Sequence, residues 1–229
     1  QLDSKCRIPT VHQKGPYPDQ TEKAAAMKIF CVGRNYADHA KELDNEVPAD
    51  PVLFMKPETA LIAPRNPFFI PDFSEEVHFE AELVVRINRM GKHIQPKFAR
   101  KYYDQITVGI DFTARDLQRK LKEKGLPWEK AKAFDGSAAV GKFVSLEQLA
   151  DREHIQFSLT QNGALKQEGD TGMMLFSIDR LIAYISGFFT LKVGDLIFTG
   201  TPAGVGKVAQ NDRLEVFLFQ EKLLSVNVK

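Results

Sequence analysis

The sequence predicts one α+β domain in which strands predominate. Three observations lead there. Short apolar or alternating runs, bounded by Pro, Gly and Asn, recur along most of the chain, as strands do. Only three stretches suit a helix. Strands and helices do not alternate at the spacing of βαβ units, which argues against a doubly wound parallel sheet. At 229 residues the chain is long enough for one large domain or two small ones, and it carries no internal repeat or low-complexity segment.

Residues 1–26 are polar and unpatterned, with Pro9, Gly15, Pro16 and Pro18 breaking any regular element. They lack the apolar stretch of a secretory signal and are read as a leader, foreign or flexible, ahead of a domain spanning 27–229. Met27 is followed at once by a strand-like run, 28–33. Residues 52–55 form a short apolar run ended by Lys56-Pro57, and 68–70 another between Pro67 and Pro71. Residues 78–88 alternate over a long stretch and give the clearest strand. Residues 106–112 read as a short buried strand. Residues 155–161 alternate and meet Asn162-Gly163, a hairpin signal because both positions accept a positive φ. Residues 196–199 are apolar and β-prone. Residues 214–219 and 223–228 read as a terminal hairpin around Gln220-Glu221-Lys222.

The helical stretches are 35–43, 114–124 ending at Gly125, and 177–186. In the last, Ile178, Leu181, Ile182 and Ile185 fall on one face and Ser177 suits the N-cap.

Lys plus Arg is 31 and Asp plus Glu is 30, a net charge of +1. So balanced a chain lacks the basic stripe of a nucleic-acid module. No run approaches the ~20 apolar residues of a membrane span. Two cysteines, Cys6 and Cys31, are too few for a disulfide framework or a zinc site, and the cytoplasm is the expected compartment.

The most informative segment is His78-Phe79-Glu80-Ala81-Glu82-Leu83. Strand alternation puts His78, Glu80 and Glu82 on one face and Phe79, Ala81 and Leu83 on the other. Two carboxylates about 7 Å apart along a strand can lean onto one cation, and without one they repel. Taken alone, a solvated strand face explains them slightly better. Asp111 shifts the balance. It closes the apolar run Val108-Gly109-Ile110, where a charge is either a helix N-cap, in competition with Thr113, or a ligand. Three carboxylates with no cysteine define an all-oxygen site suited to Mg²⁺ or Mn²⁺.

On a helix, His39 and Glu42 stand at i, i+3 and can touch, which would orient the imidazole as a general base. On this stretch alone, an ordinary exposed helix pair is clearly the better explanation. Lys132, beside apolar residues, could hold a substrate carboxylate, but without context a solvated lysine is the stronger reading, because the chain has many lysines. The glycines of Gly200-Thr201-Pro202-Ala203-Gly204-Val205-Gly206 allow close ligand approach, but the stretch lacks the Lys-Ser/Thr of a phosphate loop.

These segments together resemble the fumarylacetoacetate hydrolase family. The carriers are Val32-Gly33-Arg34-Asn35-Tyr36-Ala37-Asp38-His39, Phe54-Met55-Lys56-Pro57, the His78–Leu83 segment and Asp111-Phe112-Thr113-Ala114-Arg115-Asp116-Leu117-Gln118. Gly125-Leu126-Pro127-Trp128, Lys132, Gln167-Glu168-Gly169-Asp170-Thr171 and Thr199 through Gly206 continue the series. Gly125-Leu126-Pro127-Trp128 is similar to the acylpyruvase and oxaloacetate decarboxylase branch. Ala139 and Lys166 depart from the family's usual Pro and Arg.

The resemblance implies a mixed β-roll core and a homodimer. It implies that Glu80, Glu82 and Asp111 bind Mg²⁺ or Mn²⁺, and that His39 and Glu42 form a water-activating dyad on a lid, with Lys132 also catalytic. It further implies that Arg115, Gln118, Thr201 and Lys56 hold the α-keto carboxylate end of a small keto-acid substrate. The expected activity is hydrolysis of a C–C bond in acylpyruvates, with oxaloacetate decarboxylation open to the same site. The alternatives are isomerisation or decarboxylation of a 2-hydroxydiene dioate, and a non-catalytic metal- or metabolite-binding protein. Neither a nucleic-acid nor a membrane partner is expected.

Overall fold

A computed structural model describes residues 27–42, 47–149 and 151–229. The expected leader, 1–26, and the expected helix end at Leu43 lie outside the described residues. In chain order the strands are β1 (Ile29–Gly33), β2 (Val52–Lys56), β3 (Val77–Phe79), β4 (Ala81–Ile87), β5 (Tyr103–Asp111), β6 (Thr113–Ala114), β7 (Ala138–Val140), β8 (Val144–Ser145), β9 (Gln156–Gln161), β10 (Ala164–Asp170), β11 (Leu196–Phe198), β12 (Gly206–Lys207), β13 (Arg213–Leu218) and β14 (Glu221–Asn227). The helices are α1 (Ala37–Glu42), α2 (Pro96–Ala99), α3 (Arg115–Glu123), α4 (Glu129–Lys132) and α5 (Ile178–Phe188).

The strands form three sheets. The largest has seven strands in the order β2-β1-β11-β4-β5-β7, with β8 also on β5. β1 and β11 run parallel and the other pairs antiparallel, so this sheet is mixed. A four-stranded sheet has the order β10-β9-β13-β14, and a three-stranded one β12-β3-β6. The fold is thus a strand-rich single domain with few helices, as the sequence predicts.

β4 is central because, apart from Glu82 and Arg86, both its faces are apolar: Ala81, Leu83, Val84, Val85 and Ile87 are all buried. β9 and β13 alternate, sending Phe157, Leu159, Leu214, Val216 and Leu218 inward. α5 lays Ile178, Leu181, Ile182 and Ile185 against the same core, and Ser177 Oγ caps it by accepting from Arg180 N–H at 3.4 Å.

The structure corrects three sequence expectations. The long strand over 78–88 is two strands, β3 and β4, that separate at Glu80 and enter different sheets. Phe79 pairs with Gly206 of β12, whereas Ala81 pairs with Ile110 of β5, so the chain changes neighbours at that residue. Residues 68–70 form no strand; Phe68 makes an isolated bridge to Val228. Pro67 and Pro71 have no N–H to extend a ladder there. The terminal hairpin turns at Phe219 and Gln220, with Glu221 and Lys222 already paired in β14. Phe219 takes the left-handed conformation, φ 51°, that this two-residue turn needs. The short strands β6, β7 and β12 went unpredicted because two or three residues carry no period.

Candidate active site and metal centre

The break at Glu80 builds the site. Glu80 is the residue between the two strands, Glu82 is the second of β4, and Asp111 is the last of β5, which pairs with β4 through Ala81 and Ile110. Each of the three offers a carboxylate oxygen, and these atoms lie within 4.8 Å of one another. All three side chains are buried. The parity argument therefore holds for Glu80 and Glu82 across the break. His78 does not join them: it is half-buried and its Nε2 lies 3.1 Å from Glu76 Oε1.

Asp111 is not an N-cap. The cap position of α3 is Ala114, which has no side-chain cap hydrogen bond. Asp111 Oδ1 instead faces Lys56 Nζ at 2.8 Å and its Oδ2 faces Lys132 Nζ at 2.9 Å. Lys132 Nζ also donates to Glu80 Oε2 at 2.7 Å and to Thr113 Oγ1 at 2.6 Å. Arg115 Nη2 pairs with Glu80 Oε1, and its Nη1 donates to Gln118 Oε1 at 2.7 Å.

The three acids therefore differ electrostatically. Burial alone would raise Glu80's pKa, but the Lys132 and Arg115 cations outweigh it and hold the carboxyl well below the usual range. Burial would likewise lower Lys132, yet Asp111 and Glu80 keep its ammonium raised. Glu82 goes the other way: burial first, then the charges of Asp111 and Glu80, push it well above the ordinary carboxylate value. Glu82 has no ion pair among the described residues, and its Oε2 accepts from Gly200 N–H at 2.6 Å. Gly200 has φ +101°, and a Cβ there would lie 2.6 Å from Asn35 Cβ, so this N–H requires glycine. Three buried carboxylates, one without a cationic partner and none with a sulfur neighbour as donor, fit a hard divalent cation.

His39 and Glu42 meet on α1 as i, i+3 spacing predicts, with Nδ1 3.3 Å from Oε2. Glu42 also accepts from Gly204 N–H at 3.1 Å. His39 is buried, and that burial lowers its pKa against the opposing pull of Glu80 and Glu42. His39, Glu80, Glu82, Arg115, Gln118, Lys132 and Thr201 all line one cavity. Lys56 does not. Expected among substrate-holding residues, it lies behind Asp111, fully buried, with Nζ bonded to the Lys132 carbonyl, Ser137 O at 3.1 Å and Ser137 Oγ at 3.0 Å. It is placed to position Asp111 rather than to touch a ligand.

Thr201's hydroxyl donates to Ala81 O at 2.8 Å and accepts from Gln167 Nε2 at 2.8 Å. Gln167 is the residue that sequence reasoning missed. Its Oε1 accepts from Ala81 N–H at 2.9 Å and its Nε2 also donates to Pro202 O at 2.9 Å. One buried amide thus ties the strand break to the loop that carries Thr201. The register of β10 against β9 slips between Leu165 and Gln167, and such a bulge re-aims a side chain. In the sequence Gln167 stands out only as part of a segment carrying the family resemblance, with no role attached.

A family profile described as fumarylacetoacetate (FAA) hydrolase C-terminal matches residues 28–227. The rat protein named oxaloacetate tautomerase FAHD1, mitochondrial, is 46% identical over 187 residues, 82% of this chain and 85% of that protein. The Escherichia coli protein named oxaloacetate tautomerase YcgM is 46% identical over 190 residues, 82% of this chain and 87% of that protein. Among solved structures, fumarylpyruvate hydrolase from Pseudomonas aeruginosa in complex with Mn²⁺ and pyruvate superposes with a TM-score of 0.82 at 37% identity, covering 88% of each chain. Among the described residues, no helix is long and apolar enough to cross a membrane.

Proposed function

The chain belongs to the fumarylacetoacetate hydrolase family, an enzyme family, and from that premise we propose that it is a Mg²⁺- or Mn²⁺-dependent enzyme of short 2-oxo acids, with oxaloacetate keto–enol interconversion as its main reaction. The observation that carries the reading is the convergence of Glu80, Glu82 and Asp111 within 4.8 Å of one another, with Glu80 and Glu82 lining a cavity that His39 and Arg115 also line.

Glu80, Glu82 and Asp111 would hold the cation. When bound, it would draw electron density from the carboxylate and 2-oxo oxygens of the substrate. Arg115, with Gln118 fixed on its guanidinium, supplies donors for the substrate carboxylate. His39 is neutral at neutral pH, because burial lowers its pKa. Glu42 is placed to accept from Nδ1–H, which leaves Nε2 free to take a proton. Nε2 removes a proton from C3, the C3–H electron pair becomes the C2–C3 double bond, and a proton added at the 2-oxygen completes the enol. The reverse order regenerates the ketone.

Acylpyruvate hydrolysis is the second reading, favoured by the same His39–Glu42 contact. There Nε2 takes the proton from water, hydroxide adds to the 4-carbonyl, and the C3–C4 bond breaks to give pyruvate and a carboxylic acid. Loss of CO₂ from oxaloacetate needs no base.

The test is a panel of oxaloacetate, acetylpyruvate and a 2-hydroxydiene dioate with Mg²⁺ and with Mn²⁺, following enol absorbance and pyruvate release. The reading expects accelerated decay of enol-oxaloacetate that disappears on chelation. Rates equal to those of metal in buffer alone, or retained after thorough chelation, would defeat it.

A further inference from the structure

Two cavities of opposite chemistry share a wall. The catalytic cavity, with its buried acids and cations, is lined on one side by the rings of Phe54 and Trp128. The same two rings line a second cavity, whose other walls are Val52, Leu53, Gly125, Leu126, Pro127 and Glu129. Among the described residues the two linings share nothing else. The second cavity is apolar apart from the exposed Glu129, whose sign repels a second carboxylate. A neutral alkyl chain is the occupant that suits it.

The shared wall is fixed from several sides. The Phe54 and Trp128 centroids stand 6.2 Å apart with the rings tilted by 57°. Lys132 Nζ, on the catalytic side, lies 5.1 Å from the Phe54 centroid. The indole lies over β1: a Cβ on Gly33 would come 3.9 Å from Trp128 Cζ3. Gly33 itself lines the catalytic cavity, so the indole reaches from one cavity to the other. The backbone of Trp128 does a separate task. Its carbonyl accepts from Ala131 N–H at 2.8 Å and from Lys132 N–H at 2.9 Å, bonds that do not depend on the side chain.

We propose that Trp128 sets the length of substrate the site accepts: its indole, backed by Phe54, closes the catalytic cavity against the apolar one and confines the enzyme to short 2-oxo acids. This rests on the reading that the 2-oxo acid head lies at Glu80, Glu82 and Asp111. A longer tail then runs into the rings. Without the indole the cavities join, and the tail gains Val52, Leu53 and Leu126 as apolar surface, with each buried methylene worth about fourfold in affinity.

Pyruvate and 2-oxooctanoate share the head and differ only in tail length, so they isolate the wall. In calorimetric titration of the Mg²⁺-loaded protein, the wild type should bind pyruvate at least as tightly as 2-oxooctanoate. In Trp128→Ala the order should reverse, with 2-oxooctanoate at least about tenfold tighter and pyruvate unchanged within about twofold. Phe54→Ala opens the same wall from its other ring and should shift the preference the same way, whereas Trp128→Phe should keep the wild-type order. Leu126→Ser added to Trp128→Ala should take back at least about twofold of the gain. A wild type that already prefers 2-oxooctanoate, or equal weakening of both acids in Trp128→Ala and Phe54→Ala, would overturn the proposal and reduce the indole to packing. Turnover is scored separately: a length switch in a protein that converts no 2-oxo acid sinks the catalytic reading and leaves the wall standing, and binding of neither acid to any form sinks both.

Discussion

Glu80, at the strand break, and Glu82, in β4, stand two residues apart on the same side of the chain, yet opposite fields act on them. Glu80 is met by two cations; Glu82 is met by a backbone N–H and two neighbouring carboxylates. That asymmetry is what an incoming cation can relieve. His39 carries the corresponding prediction for the base. Its pKa is lowered by burial, so the neutral imidazole persists below the ordinary histidine value of ~6.5. Hydrolysis and tautomerisation should lose activity only as pH falls below that value. The linkage runs the same way: the unfolded chain takes the proton first, so this histidine costs stability as pH drops below ~6.5 and nothing above it. His39→Ala should remove both effects and cost about 10²–10⁴-fold in hydrolysis and tautomerisation, while decarboxylation of oxaloacetate survives better. Initial rates on acetylpyruvate and oxaloacetate across pH check this; equal losses in all three reactions would contradict the role of His39 as base.

At the scale of elements, the site depends on a strand that stops. β3 and β4 part at Glu80, and Gln167, delivered by the bulge in β10, accepts the Ala81 N–H beside the break. Gln167→Leu removes that acceptor and leaves a buried donor unmet, which should cost about 1–3 kcal/mol in thermal unfolding and weaken Mn²⁺ binding besides. Unchanged stability and affinity would show that Gln167 positions nothing. A second device pins the hairpin at Asn162-Gly163. Asp212 accepts from Asn162 Nδ2 at 2.7 Å, Gln161 Nε2 at 2.7 Å and Ala209 N at 2.7 Å. Burial would raise its pKa, but these donors prevail and lower it. Its contribution is full above the unfolded aspartate value of ~3.9 and is lost as pH falls through the lower folded value. Asp212→Ala should cost about 1–3 kcal/mol at pH 7, with the gap from wild type closing in strong acid. Urea unfolding at pH 7 and pH 2 measures it.

Over the whole molecule, what the sequence revealed follows from range. Strand parity is a local property and placed Glu80 and Glu82 on one face despite the break; helical spacing joined His39 to Glu42. Asp111 could be suspected from its place at the end of an apolar run, but its convergence on the other two follows from β4–β5 register, which no spacing encodes. Lys56 on Asp111, Gln167 on Ala81 and Gly200 on Glu82 join residues far apart along the chain, and none has a local period to betray it. Resemblance to a family supplied the roles of Arg115 and Lys132; periodicity did not.

The account stands on three carboxylates sharing one cation. Titrating the protein with Mn²⁺, with free ion read by electron paramagnetic resonance, tests that directly. One site per chain is expected, with affinity reduced at least about tenfold in Glu82→Gln of unchanged fold. Absence of binding in the wild type, or equal affinity in Glu82→Gln, would contradict it.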